Sequence, residues 1–188
     1  MRRVLLVIVF AILAAYCFGV VQVGASLDFG GKQHYEPSIG ELTQEDWDVE
    51  NGWSPSLEFM LQKSNFKLGI GSEYQLQRSV KDSPVEFNFT PVYAVARYVT
   101  DINTVFVPET VIQCGYNFFQ AEHFNEEVYP DRTGGLYYGL GECFTYKEYV
   151  LQFLYKVNSG KLSGPWFGQT NDLIITNRQF SLSLGYRF

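Results

Sequence analysis

The last nine residues, Phe180-Ser181-Leu182-Ser183-Leu184-Gly185-Tyr186-Arg187-Phe188, alternate large apolar with small or polar side chains without a break. Successive side chains of a β-strand point to opposite faces, so this stretch makes an extended ribbon with one apolar face. Seven other segments repeat the pattern. Val21, Val23, Ala25, Leu27 and Phe29 alternate with polar or small residues, and so do Leu57, Phe59 and Leu61. Phe66, Leu68, Ile70, Ser72, Tyr74 and Leu76 follow, then a segment from Val85 to Val99 with Phe87 and Phe89 in phase. Its phase blurs at Pro91, where a bulge is expected. Phe106, Ile112, Cys114, Tyr116 and Phe118 share one face of a fifth segment, and Leu136, Tyr138 and Leu140 one face of a sixth. Tyr149, Leu151, Phe153, Tyr155 and Val157 form the seventh.

After the first 23 residues no apolar run approaches the roughly 20 residues of a membrane-spanning helix. Yet aromatic residues make up 17% of the chain and charged residues only 18%, against about 25% charged in ordinary soluble domains. Apolar surface is therefore delivered by alternation. A bilayer accepts only helices or closed barrels, because every backbone N–H and C=O must be satisfied within the protein. The expected fold is all-β, an eight-stranded antiparallel up-and-down transmembrane barrel. Loops are expected to be short at 63–65, 100–104 and 145–147 and long at 32–52, 119–133 and 159–172, with 81–84 an exception. Short turns at one end and long loops at the other are the habit of outer-membrane barrels, whose termini lie on the periplasmic, short-turn side.

Arg2 and Arg3 precede an apolar stretch from Val4 to Ala15, the composition of a secretory signal peptide. A signal over residues 1–19 is expected, cleaved between 17 and 25, with the barrel domain at 20–188. A cut near Gly19 preserves the strand that starts at Val21, and a cut after Ala25 would destroy it. Bulky Tyr16 argues against a lipidated Cys17.

The terminal Phe180, Leu182, Leu184, Tyr186 and Phe188 resemble the insertion signal of the OmpA/OmpX-like family of small outer-membrane barrels. Gly134-Gly135-Leu136-Tyr137-Tyr138-Gly139-Leu140-Gly141 is similar to a glycine-aromatic strand common in such barrels. The resemblance implies the barrel fold, an outer-membrane location in a Gram-negative-type bacterium, and recognition of the terminus by the barrel-assembly machinery. No peptidoglycan-binding domain of the OmpA type is expected after the barrel. Functions on this fold vary, so the family leaves function open.

Glu58, Lys67, Glu73, Glu109, Lys156 and Arg187 fall on the polar face, with Glu86 and Arg97 joining them if the parity of their strand allows. An eight-stranded barrel is just wide enough for its own side chains, so these residues are expected to form a paired polar filling rather than a pore. His34, near Glu36 and Ser38, and His123, near Glu122 and Glu126, would have to meet a nucleophile to build a lipid-modifying enzyme. Neither cluster has such a spacing, and a non-enzymatic protein without cofactor is expected.

Residues 32–52 carry a net charge of −5 and residues 119–133 of −3. Loss of Arg2 and Arg3 takes the chain from −6 to −8. This acidity excludes nucleic acid and favours divalent cations or basic surface proteins as partners, besides lipid and lipopolysaccharide. Asp46, Asp48 and Glu50 are the candidate metal carboxylates, although they lack the glycine spacing of an EF-hand. Trp47, Trp53, Tyr74, Trp166 and Phe167 on one side, and Phe66, Phe106, Tyr149, Tyr186 and Phe188 on the other, are placed as interfacial girdles, with Trp166-Phe167 an alternative ligand tip. Cys114 and Cys143 fall on adjacent strands but opposite faces and some five residues out of register, so no disulfide is expected. The expected role is structural or surface-interacting; a lipid-modifying enzyme, a narrow channel and a secreted lipocalin-like carrier are the alternatives.

Overall fold

The computed structural model describes residues 19–37, 46–100, 105–122, 131–166 and 169–188. None of these is helical. Ten strands form one antiparallel sheet: β1 (Val20–Pro37), β2 (Asp46–Asp48), β3 (Gly52–Lys63), β4 (Phe66–Glu73), β5 (Arg78–Ser79), β6 (Glu86–Val99), β7 (Val107–Glu122), β8 (Asp131–Tyr146), β9 (Tyr149–Trp166) and β10 (Gln169–Arg187). Eight of them close a ring in the order β1-β3-β4-β6-β7-β8-β9-β10, and β10 pairs back on β1 from Gln22↔Arg187 to Pro37↔Leu173. The exterior is the apolar face: Leu61, Leu68, Ile70, Ile112, Leu140 and Leu184 are each more than half exposed. In water such a surface would be an aggregation hazard, whereas in lipid it is the required coat. A lipocalin-like carrier would have these side chains inside.

The turn end is tight. Ser64 and Lys147 take left-handed φ values of 55° and 53° to close two of the hairpins, a region few non-glycine residues visit. The loop end differs from the sequence reading. Residues 32–37 continue β1, and β9 and β10 pair as far as Trp166↔Gln169, so 159–172 is a long hairpin rather than a loop. Polar side chains on both faces read as loop in the sequence, but beyond lipid a ladder has no need of an apolar outer face. β3 stops pairing with β1 at Gly52, and there β2 takes its place, with Lys32 opposite Asp48. β5 likewise takes over from β4 beside β6. Val49 bridges to Val80, and the Lys81 and Glu50 amides donate to Asp48 and Ser79 carbonyls at 2.8 and 3.0 Å. The cylinder therefore continues beyond the level where its membrane strands would have ended.

No bulge occurs at Pro91. β6 pairs with β7 in one register from Glu86↔Glu122 to Val99↔Glu109. The Phe89 carbonyl accepts from the Gln75 amide, so by alternation the missing N–H of Pro91 faces that same side, just past the end of the β4–β6 ladder at Val92. Proline is tolerated where no ladder bond is owed. The register shifts instead at Phe29/Lys32 and at Gly134/Tyr137, and Gly30 takes φ 62° at the first.

Candidate functional site

Inside the ring, four carboxylates and five cations are buried among the described residues. They form two clusters. At the turn end Glu109, fully buried on β7, accepts from Lys67 Nζ at 2.6 Å and from both Arg187 terminal nitrogens at 2.8 and 3.0 Å. Arg97 stands 3.7 Å from the same carboxylate and donates to Glu58 at 2.5 Å and to Gln152 at 2.8 Å. Glu58 also accepts from Tyr93 at 3.1 Å and Gln113 at 3.0 Å, and Gln113 in turn accepts from the Tyr137 hydroxyl at 2.6 Å. Tyr93 packs against Gly71, where a Cβ would come within 2.6 Å of the ring. Val95, Val111, Val150 and Leu154 pack between these groups.

In the second cluster Asp28 accepts from Arg78 Nη2 and Ser54 Oγ, each at 2.5 Å. Lys156 donates to Glu73 at 2.5 Å and reaches Asp28 at 3.4 Å. The six lumen residues named from the sequence are thus all inside, divided between the clusters. Arg97 is inside as well. Glu86 is not, because β6 keeps a single parity and residues 86 and 97 face opposite ways; Gln77 donates to it at the rim. Arg78 and Asp28 were missing from that set. Asp28 sits on the polar face of its segment and was legible. Arg78 has the same parity as lipid-facing Tyr74 and Leu76 and turns inward only because the pairing slips by one residue between Gln75↔Phe89 and Arg78↔Phe87.

Buried charges must be paired to be tolerable, and each of these has an ion-pair partner, while Glu73 Oε1, Arg78 Nε and Arg97 Nε make no hydrogen bond within the protein. The cavity beside Glu58 and Glu73 is only about 10 Å³, room for about one water. At the loop end the filling becomes apolar: Val49, Val80, Phe87, Phe89, Phe119, Ala121, Leu162, Leu173 and Ile175 form one buried cluster. Phe87 packs on Phe89 and Phe89 on Phe119, with centroids 5.7 and 5.0 Å apart. These side chains make a lid over the polar lumen.

On the outside of the extension, His34 lies on β1 rather than in a loop, with Nδ1 3.0 Å from Asp46 Oδ1. Asp48 pairs with Lys32 at 2.5 Å and Lys81 at 3.7 Å. The candidate metal carboxylates are therefore partly engaged by cations, and among the described residues no three His, Cys, Asp or Glu groups converge on a metal position. Lys32 holds the Asp48 carboxyl below its ordinary value. What the pair contributes is present above the ordinary carboxylate range and fades as the pH falls through the lowered value. Both side chains are solvated, so Asp48→Asn is expected to leave the urea midpoint of the folded barrel unchanged within error. His123, Ser38, Glu126 and Phe167 lie outside the described residues. Cys114 faces outward opposite Tyr138 and Cys143 inward opposite Glu109, and both are free thiols.

Exposed Trp47, Trp53 and Tyr74 mark the loop end of the exterior, and Phe66, Phe106, Tyr149 and Phe188 the turn end. Ring pairs Phe66–Tyr98, Phe106–Tyr146 and Tyr149–Tyr186 stand 5.1 to 5.6 Å apart. Two aromatic girdles thus bracket an aliphatic band. No protein-family model matches the chain, and no curated protein does. Solved structures do. OprG from Pseudomonas aeruginosa superposes with a TM-score of 0.57 at 14% identity, over 91% of this chain and 96% of that one. AlkL in DMPC bilayers gives 0.55 at 12% identity, covering 91% of this chain and 90% of the other. Neisserial surface protein A gives 0.53 at 13% identity, covering 90% and 97%. This is the fold of the small outer-membrane β-barrels. The likeness is one of fold, in keeping with the OmpA/OmpX-like pattern of the terminal strand. The lumen of this outer-membrane barrel holds ion pairs along the membrane strands and an apolar lid at the loop end.

Proposed function

We propose that the protein is a non-conducting, non-enzymatic barrel of the outer membrane. Both termini lie in the periplasm, and its extended acidic end meets cation-bearing partners at the cell surface: divalent ions, lipopolysaccharide with its bound cations, or basic proteins. The observation that carries this reading is the lumen, filled with paired charges and covered by Phe87, Phe89 and Phe119. A barrel filled in this way has a wall and an end to offer, not a passage. Its outer end is a hydrogen-bonded continuation of the barrel, which supports presentation of a fixed surface. Planar-bilayer recording of the purified protein is expected to show no stepwise openings; regular openings would move the reading to a narrow channel. On gels the unheated protein is expected to migrate differently from the boiled one, as closed barrels do.

A second reading has one observation in its favour. His34 and Asp46 form a base-and-orienter pair on the outer surface, half of what an acyl-transfer site requires. Lipid A acylation in cells carrying His34→Ala or His123→Ala tests it: loss of a modification with either variant would make the barrel an enzyme.

A further inference from the structure

Where β4 hands over to β5, the wall of the barrel bulges. The Gln75 amide donates to the Phe89 carbonyl at 3.1 Å and Arg78 pairs with Phe87, so Leu76 and Gln77 together stand opposite Asn88 alone. Two residues against one make a β-bulge, a device that re-aims side chains at barrel rims and beside functional sites. Here it accompanies a notch of about 90 Å³ lined by Tyr74, Gln77, Glu86, Phe87, Asn88 and Gln120. Asn88 has the outward parity, opposite to Phe87 and Phe89, yet only 7% of it is exposed. It forms the floor.

That floor is fixed. Asn88 Nδ2 donates to the Gln75 carbonyl at 2.5 Å, and the Thr90 hydroxyl donates to Asn88 Oδ1 at 3.2 Å. Gln77 steadies Glu86 by donating to its Oε2. The remaining polar lining is uncommitted: Glu86 Oε1, the Tyr74 hydroxyl and the carboxamide of Gln120, opposite Asn88 on β7, bond to no other described residue. No lining residue is basic.

This lining selects its ligand. An anion would meet the Glu86 carboxylate with no cation to offset it. A metal ion would find a single carboxylate, and no metal-binding group of three His, Cys, Asp or Glu occurs among the described residues. The volume is far below the roughly 300 Å³ at which pockets for drug-sized molecules begin, so it takes one functional group on a short stem. A primary ammonium has three donors and no acceptor. It makes charge-assisted bonds to carboxylates and is attracted to aromatic rings. Carboxylate, carboxamide oxygen and phenol ring stand together here.

We propose that the notch binds a primary alkylammonium group: Glu86 takes the charge, Gln120 Oε1 accepts a second N–H, and Tyr74 walls the stem. Tyr74 belongs to the loop-end girdle, so two carriers can reach the site, a free alkylamine and the ethanolamine headgroup of a membrane lipid. The proposal rests on the reading of the loop end as a meeting place for cations and makes it specific at one point. A silent barrel without this site would leave that wider reading standing.

The test is side-chain amide NMR of the folded protein in maltoside micelles, titrated with ethylammonium chloride and, separately, with sodium chloride at equal ionic strength. The Gln120 and Asn88 amide protons are expected to shift saturably with ethylammonium alone. Glu86→Gln removes the charge, leaves Gln77 an acceptor and is expected to abolish the saturation. Identical responses of the parent to the two salts, or a folded Glu86→Gln that saturates like the parent, overturn the proposal. Should Glu86→Gln fail to show the folded gel shift, Gln120→Met at an exposed position replaces it, read at Asn88 with the same two outcomes. Nanodiscs then identify the carrier. If exchanging phosphatidylglycerol for phosphatidylethanolamine moves both resonances to their ethylammonium-bound positions, the carrier is the lipid; if only the free amine moves them, it is a soluble amine.

Discussion

Glu109→Ala is expected to destabilise the barrel by about 3–5 kcal/mol, the usual cost of removing one partner from a buried ion cluster. Glu109 accepts from Lys67, Arg187 and Thr145 and stands 3.7 Å from Arg97. Without it, three cations share the turn end of the lumen with only Glu58 to offset them. Urea unfolding of the barrel in detergent micelles would read the change as a lower midpoint at unaltered slope. Coupling provides the control. Glu109→Ala with Arg187→Met removes a cation along with the carboxylate and should recover part of the loss, as non-additivity between contacting residues requires. Exposed Glu142, which among the described residues accepts from Thr110 on the outer face, should cost far less. Equal costs for Glu109→Ala and Glu142→Ala would show that the filling does not organise the barrel.

The second large effect concerns the lid. Phe89→Ser with Phe119→Ser deletes two buried rings that touch each other. Emptying one buried Phe site costs about 3–5 kcal/mol where neighbours cannot collapse. The double variant is therefore best recorded at low temperature and with its gel shift checked first. Two hydroxyls in place of two rings also make the loop end wettable, so in planar bilayers we expect openings that the parent lacks. A folded double variant as silent as the parent would place the seal in the ion pairs alone. Openings that disappear when an apolar residue is restored at 89 would assign the seal to the lid.

The membrane part of this architecture was open to reading because lipid demands it. Leu182, Leu184 and Tyr186 cannot face the lumen without sending Ser183 and Arg187 into hydrocarbon, so one phase of each strand is forced. Above the membrane that demand ends and the rule inverts. On β10, outward Phe180 and Leu182 are even-numbered, whereas Leu173 and Ile175 are odd and buried. Ile174 between them stays outward, so the apolar face of the membrane stretch gives way to a run that is apolar on both faces, where the strand begins to pack on a core of the protein's own, and that run was visible in the sequence. Phe87 and Phe89 carry the same message on β6, where apolar residues read as lipid-facing in fact form the lid. Arg78 could not have been placed, since its direction depends on a one-residue slip in backbone pairing. The partnership of His34 with Asp46 was equally hidden, because it depends on β2 lying beside β1, and no local pattern announces a three-residue strand.

The continuation of the ring through β2 and β5 sets a height. A strand of 19 residues such as β10, at about 3.3 Å per residue and a tilt near 40°, stands roughly 45 Å tall, while the apolar band of an outer-membrane barrel is about 25 Å. Some 20 Å is left over, and with the turn end so tight nearly all of it projects on one side. The molecule is built like a post set through a floor, with a stub rising past the lipid on the loop side. A visiting protein too bulky to reach the lipid surface would still find the top of that stub within its grasp.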